Sequence, residues 1–167
     1  MTNYICINGQ KAELTEEQLK ALGIELPKAN PFERVNKCTP YYLITGEGKV
    51  SEQFDIRSEY DNGAFDSANY CTDKALMKQR ALHETLNRLL WRYSMEHDGD
   101  KVDWYRCSSS KLNYRIYYNH YNNRFEIETN NCHEALGTVY FYTKEIALNA
   151  IKEIIKPFMA AHPDFKF

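Results

Sequence analysis

Two cysteines and two histidines are the residues whose types could form a metal site or a Cys–His nucleophile. Structural zinc sites draw ligands in close pairs, with about two to five residues between them. None of the five cysteines forms such a pair, and no motif predicts the structured turn that a nucleophile needs. We therefore expect no metal, no cofactor and no catalytic residue. The residues considered are Cys107, His120, Cys132 and His133.

A basic and aromatic segment, 101–124, is a candidate binding surface. Cations neutralise phosphates and aromatic faces stack on bases, which is the chemistry of single-strand and nucleotide binding. The same composition is also common on the solvated face of an antiparallel sheet, and it suits a protein partner. The candidate residues for binding a protein or a nucleic acid are Arg106, Lys111, Arg115, Tyr117, Tyr121 and Arg124.

A second candidate surface is acidic and falls within 47–66. Its carboxylates could copy the phosphate spacing of a nucleic acid and so meet the basic groove of a protein that handles one. The alternative interpretation is a solubilising acidic loop. The residues assigned to this acidic strip are Glu47, Glu52, Asp55, Glu59 and Asp61.

Composition sets bounds on the class of protein. A chain of 167 residues with 43% hydrophobic residues can bury a sizeable single core. The formal net charge of −2 provides no global field toward nucleic acid. The widely spaced cysteines predict reduced thiols, and neither a signal peptide nor an apolar stretch of roughly 20 residues is visible. We therefore expect a cytoplasmic protein with no membrane contact.

The elements that would position these residues start with an N-terminal ββα appendage over residues 1–26. Asn8-Gly9 is a strong hairpin signal because both residues tolerate positive φ. Thr15 and Gln18 have the spacing of a capping box, which predicts the start of a short helix. A linker over 27–40 is then expected to lead into a main α+β domain.

The main domain, 41–167, is predicted to contain one arrangement twice. One hairpin begins at Tyr41 and another at Tyr114, and each is followed by an aromatic triplet or pair and a helix start. Thr72 and Thr143 are the predicted N-caps of the two helices, because each stands directly before a helical apolar stripe. The sequence thus predicts two hairpin–helix units packed into one domain.

Three further expectations concern the helices and the segment between them. Apolar residues at three- and four-residue spacing predict helices over 73–96 and 144–156. Pro157 is expected to kink or end the second helix, because it has no amide donor. Segment 55–67 is predicted to be an acidic, turn-rich loop.

Several stretches carry a resemblance to a known group. They are Pro31-Phe32-Glu33-Arg34-Val35, Tyr41-Tyr42-Leu43-Ile44, the helix entry over 69–72 and the closing stretch over 137–147. With them, nearly the whole chain resembles a broad group of small hypothetical proteins carried by temperate phages and mobile elements of Firmicutes. The resemblance implies a cytosolic accessory protein of a mobile element. Many such proteins blunt host defence by binding a CRISPR effector or by sequestering a signalling nucleotide.

The sequence therefore predicts an α+β fold: a mostly antiparallel sheet, two main helices, duplicated hairpin–helix units and an N-terminal ββα appendage. The expected function is that of a phage-derived binding protein, not an enzyme, that inhibits a host defence component. The favoured partner is a host defence protein, a CRISPR nuclease above all. The alternative is a protein that binds or sequesters a nucleic acid or nucleotide on the Arg/Tyr-rich sheet face.

Overall fold

A computed structural model describes residues 4–7, 10–23, 30–102, 104, 112–130 and 133–167. The chain forms two compact units, Met1–Glu33 and Arg34–Phe167. Helices and antiparallel sheets build both, so the predicted α+β class is confirmed. No helix among the described residues is long and apolar enough to cross a membrane.

The first unit has the predicted ββα order. Strands β1 (Tyr4–Ile7) and β2 (Gln10–Glu13) pair antiparallel, and helix α1 (Glu16–Ala21) follows. The predicted capping box is present, because the Gln18 amide donates to Thr15 Oγ1 at 3.3 Å and the Thr15 amide donates to Gln18 Oε1 at 2.8 Å. The Asn8-Gly9 turn lies outside the described residues.

The second unit opens with the first hairpin–helix arrangement. Strands β3 (Pro40–Ile44) and β4 (Val50–Phe54) pair antiparallel, and helices α2 (Glu59–Asp66) and α3 (Lys74–Glu96) follow. The predicted acidic loop is therefore wrong over most of its length, because α2 occupies it. The helix begins with a capping box in which the Ser58 hydroxyl accepts from the Asp61 amide.

The second hairpin–helix arrangement follows a short 3-10 turn. Strands β5 (Asn113–Asn119), β6 (Arg124–Asn130) and β7 (Tyr140–Phe141) form an antiparallel sheet in the order β6-β5-β7. One continuous helical segment then comprises α4 (Lys144–Ala150), a wider π turn (Ile151–Ile155) and α5 (Lys156–Ala161).

The two arrangements share their pairing. In each, the first strand of the hairpin pairs with the second strand on one side and with a short later segment on the other. That segment is a single bridge, Tyr42 to Cys71, in the first copy, and the pairing of Tyr114 with Phe141 in the second. Two residues after Cys71 and after Phe141, a helix N-cap follows. The predicted duplication is thus present as a shared strand order.

This shared spacing corrects one of the predicted N-caps. Thr143 caps α4, since its hydroxyl accepts from the Ile146 amide at 3.2 Å. Thr72 does not cap α3; Asp73 does, accepting at Oδ1 from the Ala75 and Leu76 amides at 2.8 and 3.1 Å. An aspartate is the stronger cap because its charge also interacts favourably with the positive end of the helix dipole.

Capping by Asp73 gives a stability prediction. Asp73→Ala is expected to lower the free energy of unfolding by about 1 kcal/mol, because two amides lose their acceptor. Asp73→Asn is the matched control, since asparagine keeps an acceptor of the same size and should retain most of the stability. Urea denaturation measures both. Equal midpoints for Asp73→Ala and wild type would place the cap elsewhere.

The predicted helix end at Pro157 is wrong, while the alternative, a kink at this residue, stays a prediction. The helix continues through Pro157 to Ala161, and the π turn over Ile151–Ile155 precedes it. A wider turn shifts the backbone pairing by one residue, and the Lys156 amide accordingly donates to the Ile151 carbonyl. Such a shift lets a helix accommodate a residue without an amide donor. Ile155 and Phe158 stay buried on its inner face.

Helix α3 connects the two arrangements. In its first half, Met77 and Ala81 pack with Ile44 and Cys71 of the first copy. In its second half, Tyr93 packs in the cluster that contains Phe141. The two hairpin–helix copies therefore share one central helix.

Candidate functional site

The predicted Arg/Tyr-rich sheet face exists, but its described cations are engaged. Arg115 Nε donates to Glu128 Oε2 at 2.7 Å, across the β5–β6 pair. Arg124 Nε donates to Glu126 Oε1 at 2.8 Å. Tyr121, on the turn between the strands, is 94% exposed. Arg106 and Lys111 lie outside the described residues.

The Glu126 carboxylate connects the polar side chains of this face by hydrogen bonds. The Tyr117 hydroxyl donates to its Oε2 at 2.6 Å, and Asn119, Arg124 and Asn122 also donate to the carboxylate. These donors favour the ionised form and lower the pKa of Glu126 to about 2, Tyr117 having the largest effect. The described charges of the face are thus balanced within the sheet. A phosphate would have to compete with Glu126 and Glu128 for the two arginines.

The predicted acidic strip is not one exposed surface. Asp55 and Asp61 are 0% and 3% exposed, so a partner cannot touch either carboxylate. This part of the prediction is wrong, because both side chains turn inward, where they bind neighbouring amides and distant side chains such as Arg34 and Tyr41. Glu47, Glu52 and Glu59 remain on the outside, and the first two form ion pairs with Lys49 and Lys74. The strip stays a prediction only for these three residues.

Asp55 is held by two arginines and a tyrosine. Arg34 Nε donates to Oδ2 at 2.8 Å, the Tyr70 hydroxyl donates to Oδ2 at 3.0 Å, and the Arg57 amide donates to Oδ1 at 2.9 Å. Arg34 has the largest effect in lowering the pKa of Asp55 to about 2, against the opposing effect of burial. Asp55 is therefore ionised throughout the range in which the protein is expected to work.

Asp61 accepts no hydrogen bond from a cation among the described residues. Its Oδ2 accepts from the Ser58 hydroxyl at 2.7 Å, the Ser58 amide at 2.9 Å and the Ile56 amide at 3.1 Å. The Tyr41 hydroxyl donates to Oδ1 at 2.8 Å. Burial raises the pKa of Asp61, but these hydrogen bonds outweigh it and the net shift is downward. Asp61 thus keeps a buried negative charge whose hydrogen-bond donors are all neutral, while the charge of Arg34 attracts it without a hydrogen bond.

The hydrogen-bond networks of Asp55 and Asp61 are in contact through Tyr70 and Tyr41, which bind one carboxylate each. The rings of Tyr41 and Tyr70 stack, with centroids 4.1 Å apart and planes at 14°. Burial, with the adjacent carboxylates, raises the pKa of both hydroxyls, which therefore stay protonated and donating. No buried side-chain polar atom among the described residues lacks a partner. The buried polar groups of this network therefore bind one another and the backbone, and they hold the backbone between β4 and α2 in place.

That fixed backbone presents three large apolar side chains to solvent. Phe54, Ile56 and Tyr60 are 57%, 58% and 61% exposed. We call them the apolar ridge. Asp55 and Asp61 position the ridge, because each carboxylate binds backbone amides of the turn that carries it. A rigid turn loses little conformational entropy when a partner binds, so the ridge is preorganised for contact.

The charge around the ridge is acidic. Glu59 and Asp66 lie on the outside of α2 and form no ion pair among the described residues. The buried charge of Asp61 adds to their field. Arg57, the nearest cation in sequence, is already committed to Asp55 and to the Val35 carbonyl. The ridge is therefore an apolar contact surface in an acidic setting.

The cysteine and histidine residues do not gather into a site in the described part of the chain. Groups of three or more potential metal ligands are absent there. His120 packs edge-on against Tyr118, and Cys71 is buried while Cys38 is exposed. Cys107 and Cys132 lie outside the described residues.

Comparison with protein-family models, curated proteins and solved structures finds no match for this chain. The site must therefore be interpreted from its own geometry. Sequence analysis located the acidic segment but missed the ridge within it. The signal was present as three large apolar residues at 54, 56 and 60, interleaved with acids in a stretch that was interpreted as a loop.

Proposed function

We propose that this protein is a non-catalytic binding protein that covers a basic surface of a partner protein with the apolar ridge. The observation that carries the proposal is the exposure of Ile56 on a turn that a buried network holds, and of Phe54 and Tyr60 on the strand and helix that flank this turn. Large apolar and aromatic side chains dominate the energetics of protein interfaces.

Charge complementarity defines the partner. Glu59, Asp66 and the buried Asp61 give the ridge a negative field. A basic surface with an apolar recess fits this field, and such surfaces are common on proteins that handle nucleic acids. The resemblance to phage proteins supports a host defence protein of this kind, with a CRISPR nuclease as the favoured target.

The test is binding to purified CRISPR nucleases of Firmicutes loaded with guide RNA, with DNA cleavage as the second measurement. Tyr60→Ala is expected to weaken binding about 30-fold, the effect of removing one aromatic hot spot. Trp91→Ala is the matched control: Trp91 is also 61% exposed but lies on α3, so its loss should leave binding unchanged. Equal effects of the two variants, or no binding by wild type, would contradict the proposal.

A second candidate function is binding of single-stranded nucleic acid or a nucleotide. The observation in its favour is the exposure of Tyr121, which could stack on a base. The ion pairs of Arg115 and Arg124 count against it. A salt titration with fluorescent single-stranded DNA separates the candidates, because phosphate contacts give a steep salt dependence. Tight binding near physiological salt, weakened by Arg115→Ala and Tyr117→Ala, would favour this second function over the first.

A further inference from the structure

Strand β6 is an edge strand with an apolar groove beside it. The sheet order β6-β5-β7 leaves one side of Arg124–Asn130 without a strand partner among the described residues. An edge strand points every second amide and carbonyl outward, where they can pair with an added strand. At seven residues, β6 equals β5 as the longest strand of the described chain.

The groove lies between β6 and α4. Phe125, Ile127, Leu148 and Ile151 supply its apolar lining, and the charged residues Arg124, Glu126 and Lys144 border it. The groove is shallow and open to solvent, with a volume of about 430 Å³. Leu148 is 43% exposed although it is apolar and faces this groove. The groove therefore runs along the edge strand, where alternate side chains of an added strand would fall.

Glutamates on the other face of β6 favour an added strand that carries cations. Glu126 and Glu128 alternate with Phe125 and Ile127, so they point away from the groove. Glu128 binds Arg115 through Oε2, and its Oε1 accepts no hydrogen bond among the described residues. Glu126 is already bound by four side chains of its own face, so Glu128 is the carboxylate that a side chain on a neighbouring strand can reach.

We propose that the β6 edge and its groove bind an extended segment of a partner protein in which apolar residues alternate with lysine or arginine. The segment adds to the sheet as a fourth strand. Its apolar side chains enter the groove, and a cation on its other face lies beside Oε1 of Glu128, which accepts no hydrogen bond among the described residues. This is recognition by strand addition, in which the main chain gives affinity and alternate pockets give specificity.

A second copy of this chain is the weaker occupant. Antiparallel pairing of β6 with itself, centred on Ile127, would set Glu126 opposite Glu128 of the other copy at both ends. Centring the pair on Glu126 would set that residue opposite itself; Arg124 would then stand opposite Glu128, but it is already bonded to Glu126. Like charges directly opposite each other destabilise a strand pair. A strand with cations at these positions avoids this conflict.

The probe is a blocked peptide of seven residues that alternates lysine with valine, titrated into the full chain. Binding is expected to shift backbone NMR signals of β6 and to slow hydrogen exchange of its outward amides. Two control peptides keep the composition: one groups the valines together, and one carries N-methyl groups on alternate amides. Each control is expected to bind about tenfold more weakly, because it loses the side-chain alternation or the main-chain donors.

Variants of the protein test whether the peptide binds in the groove. Leu148→Lys is expected to weaken binding about tenfold, by removing an apolar contact and adding a like charge beside Lys144. Leu76→Lys is its control, because Leu76 is similarly exposed, at 39%, on α3 away from the groove. The ridge variant Tyr60→Ala should leave peptide binding unchanged, which separates this site from the proposed function.

Several outcomes would overturn the proposal. They are no signal shifts at millimolar peptide, equal affinity for the N-methylated peptide, and shifts confined to β4. Slow exchange of the outward β6 amides in the free protein would show an edge already covered. A dimer in sedimentation that Leu148→Lys dissociates would assign the edge to a second copy. NMR shifts on β6 would confirm strand addition if they require the alternating sequence of the peptide, its unmethylated amides and Leu148 of the protein.

Discussion

Asp55→Asn is expected to lower the free energy of unfolding by about 3 kcal/mol at neutral pH. The substitution keeps the size of the side chain but removes a fully buried charge that two arginines and a tyrosine surround. Arg34 and Arg57 then lose their shared counterion. Arg57 also has a positive φ of 65°, a conformation that is helped by the hydrogen bond that its backbone amide donates to Asp55 Oδ1. Urea denaturation measures the loss.

Glu126→Gln is the matched control for Asp55→Asn. Hydrogen bonds lower the pKa of both carboxyl groups to about 2, so the two are equally strong acids in the folded protein. They differ in burial, since the Glu126 side chain is in contact with solvent on the outer face of the sheet. Water screens its interactions and replaces lost donors, so Glu126→Gln should destabilise far less. Comparable losses for the two variants would contradict a special role for the buried network.

The same network makes stability dependent on pH on the acid side. The pKa of Asp55 lies below its value in an unfolded chain, so the ionised group stabilises the fold above about pH 4. This contribution is lost as the pH falls through about 2. Asp55→Asn should therefore flatten the decline of stability in this range, leaving the parts that Asp61 and Glu126 contribute. Parallel pH profiles of Asp55→Asn and wild type would assign acid lability to other groups.

Local signals predicted several parts of the fold correctly. The hairpin that begins near Tyr114, the capping box at Thr15 and the cap at Thr143 are each encoded within a few neighbouring residues. Periodicity likewise predicted the extent of α3, because a helical apolar pattern that continues over 23 residues stays recognisable even where single positions depart from it. The cap at Thr72 was misplaced by one residue, since threonine and aspartate stand side by side and both are good caps.

The turn that carries the ridge could not be predicted in the same way. Asp61-Asn62-Gly63 is a turn signal by composition, but Ser58 and Asp61 form a capping box that starts α2. Burial of Asp55 depends on Arg34, which precedes it by 21 residues. No local pattern reports such a partner. The acids were therefore interpreted as surface residues, although the fold uses two of them as internal supports.

Sharing of α3 explains why the two hairpin–helix copies form one compact unit. Its 23 residues extend over about 35 Å, long enough to contact both copies in turn. Met77 and Ala81 pack near Cys71, while Ser94 near the other end donates to the Tyr140 carbonyl at 2.6 Å. A substitution that destabilises one copy should therefore also destabilise the other, because both pack on this helix.

Phe141→Ala tests that coupling. Phe141 is 1% exposed in the cluster around Tyr93, so its truncation is expected to lower the free energy of unfolding by about 3–5 kcal/mol. The measurement is thiol labelling of Cys71, which is fully buried in the other copy. Labelling of a buried thiol follows the population of the open form. If the copies open together, the labelling rate of Cys71 should rise about a hundredfold or more.

Two controls make this outcome specific. Phe141→Leu keeps most of the buried volume and should change the Cys71 rate far less. Exposed Cys38, followed by mass spectrometry in the same reaction, should label rapidly in every variant and so corrects for reagent. An unchanged Cys71 rate in a Phe141→Ala protein of lowered stability would mean that the copies open separately. The ridge, which lies on the first copy, would then be insulated from the second, and α3 would be a spacer instead of a coupling element.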